Sequence, residues 1–323
     1  LRAICASALA LRAPLAIVLL FSIWIPTCRY SIGAAWFLFL PVVSAVFGSA
    51  SAIWAVSFRL SATKAFFCSF LPTVFFSLLT ARDLYFGPSL AFLHPAFGFF
   101  AGPIYDEWIP IQPSIITFRL WTVALSAWLA WCAFPKKRNW FFASFTVLLF
   151  GFFFARASMG WYHGWGSIER ELSSSVRASI VTLRFAPRSF SGRQAMVLAR
   201  DLDAQASRIA RELGFPPKKG RTPITVDLYP DPNTNHRLTG LRYTSIGNPI
   251  QRRVYALASD PFELLTHELT HVVTGPMGIP GLRLSLRVGL LEGLATAFER
   301  YRGDLSIHEW ARAMQKLHLL PRI

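Results

Sequence analysis

The chain has 323 residues, of which 53% are hydrophobic and only 15% are charged, against about 25% charged residues in ordinary soluble domains. This composition excludes a chain that is soluble along its whole length, and it predicts that a large part lies in lipid. The formal net charge is +16. The arginines of the second half are dispersed, and no RNA- or DNA-binding motif accompanies them. We therefore interpret the positive charge as a means of attraction to anionic lipid headgroups and not to nucleic acid.

The charged residues divide the chain into two halves. Residues 1–155 hold 10 of the 33 Lys and Arg and 3 of the 17 Asp and Glu. We therefore expect a multi-pass membrane region over 1–155, a connector over 156–175 and a soluble domain over 176–323. All four cysteines fall in the first half, which excludes a disulfide framework in the second. The chain begins with Leu1 and ends soon after a helical pattern, which leaves room for further C-terminal residues.

The first half contains five apolar stretches near the roughly 20 residues that a spanning helix needs. The third and the fifth are short. The stretches are 8–27, 32–57, 65–80, 115–134 and 140–155.

A sixth apolar stretch, 84–108, is interrupted by several Gly and Pro residues, so we expect a re-entrant or surface loop in place of a spanning helix. With five spans, the loop with Arg59 and Lys64 and the basic loop 135–139 both face the cytoplasm, as the positive-inside rule requires. The soluble domain then lies outside the cytoplasm. Counting 84–108 as a span would reverse this orientation.

Ionisable residues inside the membrane region have a structural and a functional interpretation. Arg119 falls within the fourth span, where its guanidinium either faces other helices or snorkels, or else belongs to a transport path. His94, Asp106 and Glu107 fit a loop at the membrane boundary about as well as they fit a binding site.

The second half has the pattern of a small α/β domain. Alternation and β-prone residues predict strands, and apolar residues at three- and four-residue steps predict helices. Asp260 is expected to cap the first motif helix, with Pro261 at its first position. The strands are 176–185, 223–229 and 252–258, and the helices are 192–214, 261–273 and 286–301.

The sequence "HELTH" places His267 and His271 four residues apart, so on a helix both imidazoles can reach a single Zn²⁺. Glu292, 21 residues later on the next predicted helix, is the candidate third ligand. Glu268 lies beside the histidines and can act as general base on a water molecule, which suits amide hydrolysis. In one chain of this composition, the number of such motifs expected by chance is roughly 0.004, so coincidence is a poor explanation.

"HELTH" followed by "EGLATAFE" resembles the gluzincin metallopeptidases, in which a glutamate in a Glu-Gly-x-Ala context completes the zinc site. The resemblance covers roughly 175–303. It implies a zincin-like peptidase domain in which Glu299, with Thr296 nearby, supports the ligands. It also implies that the last strand forms an edge along which an extended peptide lies, through Val254, Tyr255 and Ala256.

No residue can be matched to the Tyr or His that stabilises the oxyanion in such peptidases. Tyr301, His308, Tyr243 and a residue beyond the C-terminus stay open. The expected function is a membrane-anchored zinc peptidase that binds a peptide or protein substrate at an extracytoplasmic site. The alternatives are a membrane-embedded zinc protease and a non-proteolytic zinc-binding module on a transporter- or receptor-like membrane protein. The substrate, the endo- or exopeptidase mode and the oligomeric state are not indicated by the sequence.

Overall fold

The structure is a computed structural model, and it divides into two compact units, Leu1–Gly164 and Trp165–Ile323. Each unit has its own hydrophobic core. The division falls inside the predicted connector 156–175. The residues that the structure describes are 16–17, 30–100, 111–134, 140–215, 222–302 and 304–319.

The first unit is built mainly from apolar helices. Among the described residues, three helical runs are long and apolar enough to cross a membrane, namely Ser31–Val56, Ala62–Phe86 and Pro113–Cys132. The predicted span 8–27 lies almost wholly outside the described residues. The helices are α1 (Tyr30–Phe37), which continues through a π-helical turn (Leu38–Val42) into α2 (Val43–Val56), then α3 (Ala62–Ser69), α4 (Leu71–Phe86), α5 (Pro113–Cys132) and α6 (Trp140–Phe154).

One helical run is longer than its predicted span, and the short fifth stretch is found as a helix, as predicted. The run Ala62–Phe86 extends beyond the predicted 65–80, and it includes the charged Asp83. Asp83 is tolerated there because the Arg156 guanidinium donates to both of its carboxylate oxygens, at 2.6 and 3.2 Å. Helix α6 has 15 residues, which gives a length of about 22 Å at 1.5 Å per residue.

The described part of 84–108 contains no helix after α4 ends at Phe86. A short antiparallel hairpin follows, formed by β1 (Phe92–His94) and β2 (Gly98–Phe100). The His94 ring closes its turn, because Nδ1 accepts hydrogen bonds from Ala96 N (3.0 Å) and Phe97 N (3.1 Å). Residues 101–110, with Asp106 and Glu107, lie outside the described part.

Arg119, on α5, is buried and donates five hydrogen bonds to groups that carry no charge. Nε donates to Phe39 O at 2.6 Å, and Nη2 donates to Leu40 O (2.8 Å) and Ser44 Oγ (2.9 Å). Nη1 donates to the carbonyls of His94 (3.2 Å) and Pro95 (3.0 Å). The guanidinium therefore joins the π-helical turn, which contains a proline, to the hairpin. This is the structural interpretation of the residue, since every donor is used.

The second unit contains a five-stranded mixed sheet in the order β3 (Ser174–Arg177), β4 (Val181–Phe185), β5 (Ile224–Tyr229), β7 (Arg253–Leu257) and β6 (Ile246–Asn248). Strands β4, β5 and β7 are parallel, and β3 and β6 are antiparallel to their neighbours. The elements are α7 (Trp165–Glu171), β3 (Ser174–Arg177), β4 (Val181–Phe185), α8 (Gly192–Glu212), β5 (Ile224–Tyr229), α9 (Pro232–Thr239), β6 (Ile246–Asn248), β7 (Arg253–Leu257), α10 (Phe262–Val273), α11 (Val288–Glu299), β8 (Tyr301–Arg302), β9 (Leu305–Ser306) and α12 (Ile307–Lys316).

The sheet contributes apolar side chains to the main core and also carries buried charges. Ile224, Val226 and Leu228 of β5 belong to the same apolar core as α8 and α10. Asp227, between them in the sequence, is fully buried and accepts a 2.6 Å hydrogen bond from Arg253 of β7. Because side chains alternate along a strand, Asp227 points away from the apolar core. The Arg253 guanidinium also stacks over Trp165 of α7, at 4.1 Å from the ring centroid.

The structure differs from the predicted boundaries of the strands and helices at several positions. The predicted strand 176–185 is two antiparallel strands, because the Asp203 carboxylate accepts from Ile180 N and Val181 N and fixes a turn. The connector 156–175 contains helix α7, whose Ile168 is fully buried. Asp260 does not cap α10. Pro261 is its N-cap, and Asp260 accepts from Leu257 N and from the Ser245 hydroxyl.

The prediction that the last strand forms an edge of the sheet is wrong. Strand β7, with Val254, Tyr255 and Ala256, lies in the interior of the sheet between β5 and β6, and all three residues are buried. The edge next to β7 is formed by β6, which lies in the segment rich in Pro, Asn and Gly between the last two predicted strands. Three residues are too few for an alternation pattern, so the sequence does not reveal this strand.

The Arg119 network predicts a specific loss of stability. In Arg119→Lys, an ammonium with three donors replaces five fixed donors, so buried carbonyls lose their partners. We expect the free energy of unfolding to fall by about 1–3 kcal/mol, measured as a lower unfolding midpoint of the full chain in detergent. Arg82→Lys, at an exposed position of α4, is the control and should unfold as the wild type does. Equal midpoints for both variants would contradict the prediction.

Candidate metal centre

Helix α10 carries the His-Glu-x-x-His motif and presents different residues on its two sides. Leu265, Leu269 and Val272 are at most 3% exposed and pack into the core of the second unit. The two histidines, four residues apart, project together from another side because one helical turn takes 3.6 residues. The apolar residues therefore fix the rotation of the helix, and that rotation turns both imidazoles toward α11.

His267, His271 and Glu292 bring three ligand atoms together. The two Nε2 atoms are 3.1 Å apart, and Glu292 Oε2 lies 3.3 Å from His267 Nε2 and 3.6 Å from His271 Nε2. Among the described residues, this is the group of His, Cys, Asp or Glu side chains that could hold a metal ion. The Glu292 side chain is 52% exposed, so the cluster is open to solvent on one side.

Glu299, two turns after Glu292 on α11, is the residue that orients His267. Its Oε1 lies 2.5 Å from His267 Nδ1, and its side chain is only 6% exposed. A carboxylate at Nδ1 holds the proton on that nitrogen and leaves the Nε2 lone pair for a metal ion. Thr296 is half-buried, but within the described part of the chain it forms no hydrogen bond with the three candidate ligands.

Glu268 is buried beside the histidines. Its Oε2 accepts a hydrogen bond of 2.5 Å from the backbone N–H of Gly247. Burial raises the pKa of Glu268 to about 8; the Gly247 N–H opposes the rise, and the charges of Glu292, Asp260 and Glu299 add to it. The sequence identified Glu268 but not its partner on the edge strand.

The backbone of β6 approaches α10 closely at Gly247. A Cβ atom at this position would collide with the backbone carbonyl of Glu268 and would lie 3.0 Å from His271 Cβ. Glycine is therefore required here by the distance between the strand and the helix. A glycine in a short segment before Asn-Pro was the available signal, but it does not by itself indicate a strand.

Burial lowers the pKa of His271, and the neighbouring His267 lowers it further, although Glu292 acts in the opposite direction. The imidazole is therefore held in its neutral form, and only the neutral form binds a metal ion. The three candidates for oxyanion stabilisation are all exposed side chains: Tyr243 precedes β6, Tyr301 follows α11 directly, and His308 is on α12.

Glu299 should control metal affinity without binding the metal. Glu299→Gln removes the charge that fixes the His267 tautomer, so the zinc affinity of the full chain should fall by about 10–100-fold in competition with a chelator. Thr296→Val is the matched control on the same helix and should bind zinc as the wild type does. If both variants kept wild-type affinity, the orienting role of Glu299 would be excluded.

Gly247 should be intolerant of a methyl group. In Gly247→Ala the strand or the helix must move, which breaks the bond to Glu268 and costs about 1–3 kcal/mol of the free energy of unfolding. In Gly289→Ala the new Cβ meets no neighbouring atom within 4 Å, and alanine in a helix stabilises by about 0.5–1 kcal/mol relative to glycine. Thermal unfolding of both variants measures the difference, and a stable Gly247→Ala protein would argue against the close approach.

No protein-family model, curated protein or solved structure matches this chain. The resemblance to gluzincins therefore depends on the two short sequence motifs.

Proposed function

We propose that the protein is a membrane-anchored zinc metallopeptidase of the gluzincin type that hydrolyses peptide bonds. The observation that carries the proposal is the set of distances between the ligand atoms of His267, His271 and Glu292, which are 3.1, 3.3 and 3.6 Å. Four ligands at about 2.1 Å from a zinc ion in tetrahedral geometry are separated from one another by about 3.4 Å. The three side chains thus have the spacing of zinc ligands.

The kinds of donor atom also fit zinc. Two imidazole nitrogens and one carboxylate oxygen form a ligand set typical of catalytic zinc sites, which leave the fourth position open. Glu299 orients the His267 ring through Nδ1, and burial lowers the pKa of His271, which favours the neutral imidazole that binds a metal. When bound, zinc supplies Lewis-acid chemistry, polarising a carbonyl and making water more acidic.

Glu268 takes the proton from the attacking water in this mechanism. Its carboxylate is held by the Gly247 N–H and not by the ligand set. The edge strand β6 replaces β7 as the proposed contact for an extended peptide, because it lies at the edge of the sheet. Tyr243, Tyr301 and His308 remain candidates for the group that stabilises the oxyanion.

The first unit is proposed to anchor the protein in the bilayer. Its helices expose many apolar side chains, including Phe67 and Leu78 (67% each), Val147 (72%) and Phe154 (82%), as expected for surfaces that face lipid. With the hairpin counted as non-spanning and α6 as spanning, the positive-inside rule places the second unit outside the cytoplasm.

The two alternative functions explain the structure less well than a peptidase does. A membrane-embedded protease fits poorly, because α10 has 12 residues, about 18 Å, and a membrane core is about 30 Å thick. A non-proteolytic zinc-binding module on a transporter- or receptor-like protein requires the same ligands but no general base. The burial of Glu268 beside the ligands favours the peptidase.

Substituting Glu268 separates metal binding from hydrolysis. Glu268→Gln keeps the shape of the side chain and removes the base, so the full chain should retain zinc while hydrolysis falls by about 10²–10⁴-fold. Glu263→Gln, at an exposed position of the same helix, is the matched control and should keep wild-type activity. Zinc content and cleavage of a peptide library are measured on all three proteins.

Each outcome has a definite meaning. Unchanged hydrolysis by Glu268→Gln would refute the proposed mechanism. A wild-type chain that binds zinc but cleaves no peptide would favour the non-proteolytic module. His267→Ala, His271→Ala and Glu292→Ala should each abolish tight zinc binding, and full retention by Glu292→Ala would remove that residue from the ligand set.

A further inference from the structure

The segment 277–290 comprises most of the link between α10 and α11 and the first residues of α11, and it exposes a run of large apolar side chains. Leu286 is 92% exposed, Val288 60%, Leu290 57%, and Leu282 and Leu284 are each 47% exposed. Single exposed leucines are common on protein surfaces, but a contiguous exposed run marks an interaction site. We call this segment the docking segment.

The backbone of the docking segment is held in a defined turn by hydrogen bonds. Ile279 N donates to Leu284 O at 2.8 Å, and Arg283 N donates to Ile279 O at 2.7 Å. A Cβ atom on Gly278 would meet the backbone of Arg283 and Leu284 at 2.6 to 2.7 Å, which shows how closely the two sides of this turn approach. The closed turn fixes the backbone over 278–284, where Leu282 and Leu284 are exposed.

The charge of the docking segment identifies its partner. The sequence "MGIPGLRLSLRVGL" contains Arg283 and Arg287 and no acidic residue. Arg287 is exposed, whereas Arg283 is half-buried and also donates to Pro249 O at 3.5 Å. Leucines interspersed with arginines are typical of segments that enter the interface of an anionic bilayer, with the apolar groups in lipid and the cations at the phosphates. A second copy of the chain fits less well, because a two-fold contact would bring the same arginines toward each other.

We propose that the docking segment binds an anionic lipid surface and holds the candidate metal centre close to it. Leu290 is two residues from Glu292, and the helical rise from Val288 to Glu292 is about 6 Å. The cluster would thus lie within one or two helical turns of the membrane surface. Resting on the proposed function, this placement defines the substrate class as peptide segments at the bilayer surface, such as juxtamembrane segments.

The test measures the depth of a fluorescent probe and needs no enzymatic activity. Cys5, Cys28, Cys68 and Cys132 are replaced by Ala in the full chain, and an environment-sensitive dye is attached to Leu286→Cys. The matched control is Val197→Cys, because Val197 is also an exposed apolar residue of the second unit, at 54%. Both proteins are reconstituted into vesicles of phosphatidylcholine, with or without phosphatidylserine, that carry a nitroxide on the acyl chain.

We expect the nitroxide lipid to quench the dye at position 286 and to leave the dye at 197 unquenched. Phosphatidylserine should increase the ratio of docked to undocked protein by about fivefold for each arginine near the surface, which corresponds to about 1 kcal/mol each. Arg283→Gln together with Arg287→Gln should remove this dependence on lipid charge.

Two results would overturn the proposal. Equal quenching at 286 and 197 would show that the docking segment has no preference for lipid. A blue-shifted but unquenched dye at 286 would show that protein covers the segment, either a second copy or another part of the chain. Neither result would bear on zinc binding or on the Glu268→Gln experiment, so failure of docking is distinguishable from failure of the proposed function.

Discussion

The candidate metal centre depends on the way in which helix α10 is fixed in rotation by its apolar side. Leu265, Leu269 and Val272 occupy the core against the sheet and α8, and burying each such side chain contributes about 1.5–3 kcal/mol. A rotation by one residue, about 100°, would expose these groups and turn His267 and His271 out of reach of Glu292. Hydrophobic packing on one side thus sets the geometry of polar groups on another.

Helix α11 is fixed in a similar way, so both helices that contribute to the cluster are held in place by buried apolar residues. Ala295 and Phe298 are buried, while Glu292 and Glu299, seven residues apart, both contact His267. Seven residues are nearly two full turns, so the two carboxylates lie on one side of the helix. Because one carboxylate meets Nε2 and the other meets Nδ1, the imidazole is held between them before any metal binds.

The sequence predicted those parts of the fold and site that follow from local periodicity. The helices over 192–214 and 261–273 and the pairing of His267 with His271 depend on spacing along single helices, and the structure has them. Glu292 was expected from its place on the following helix, and its Oε2 lies within 3.6 Å of both histidine Nε2 atoms. The edge strand β6 was not predictable, because three residues with a glycine carry no alternation. Helix α7 was also missed, since its place is set by contacts such as Arg253 with Trp165, which are distant in the sequence.

The hydrogen bonds of Arg119 have a consequence for the order in which the protein is made. Each acceptor of its guanidinium lies earlier in the chain, from Phe39 to Pro95, and synthesis proceeds from the N-terminus. If the first unit is inserted as it is made, the π-helical turn and the hairpin already exist when Arg119 leaves the ribosome. A cation that would be costly in lipid therefore meets its partners on arrival, without waiting for later segments.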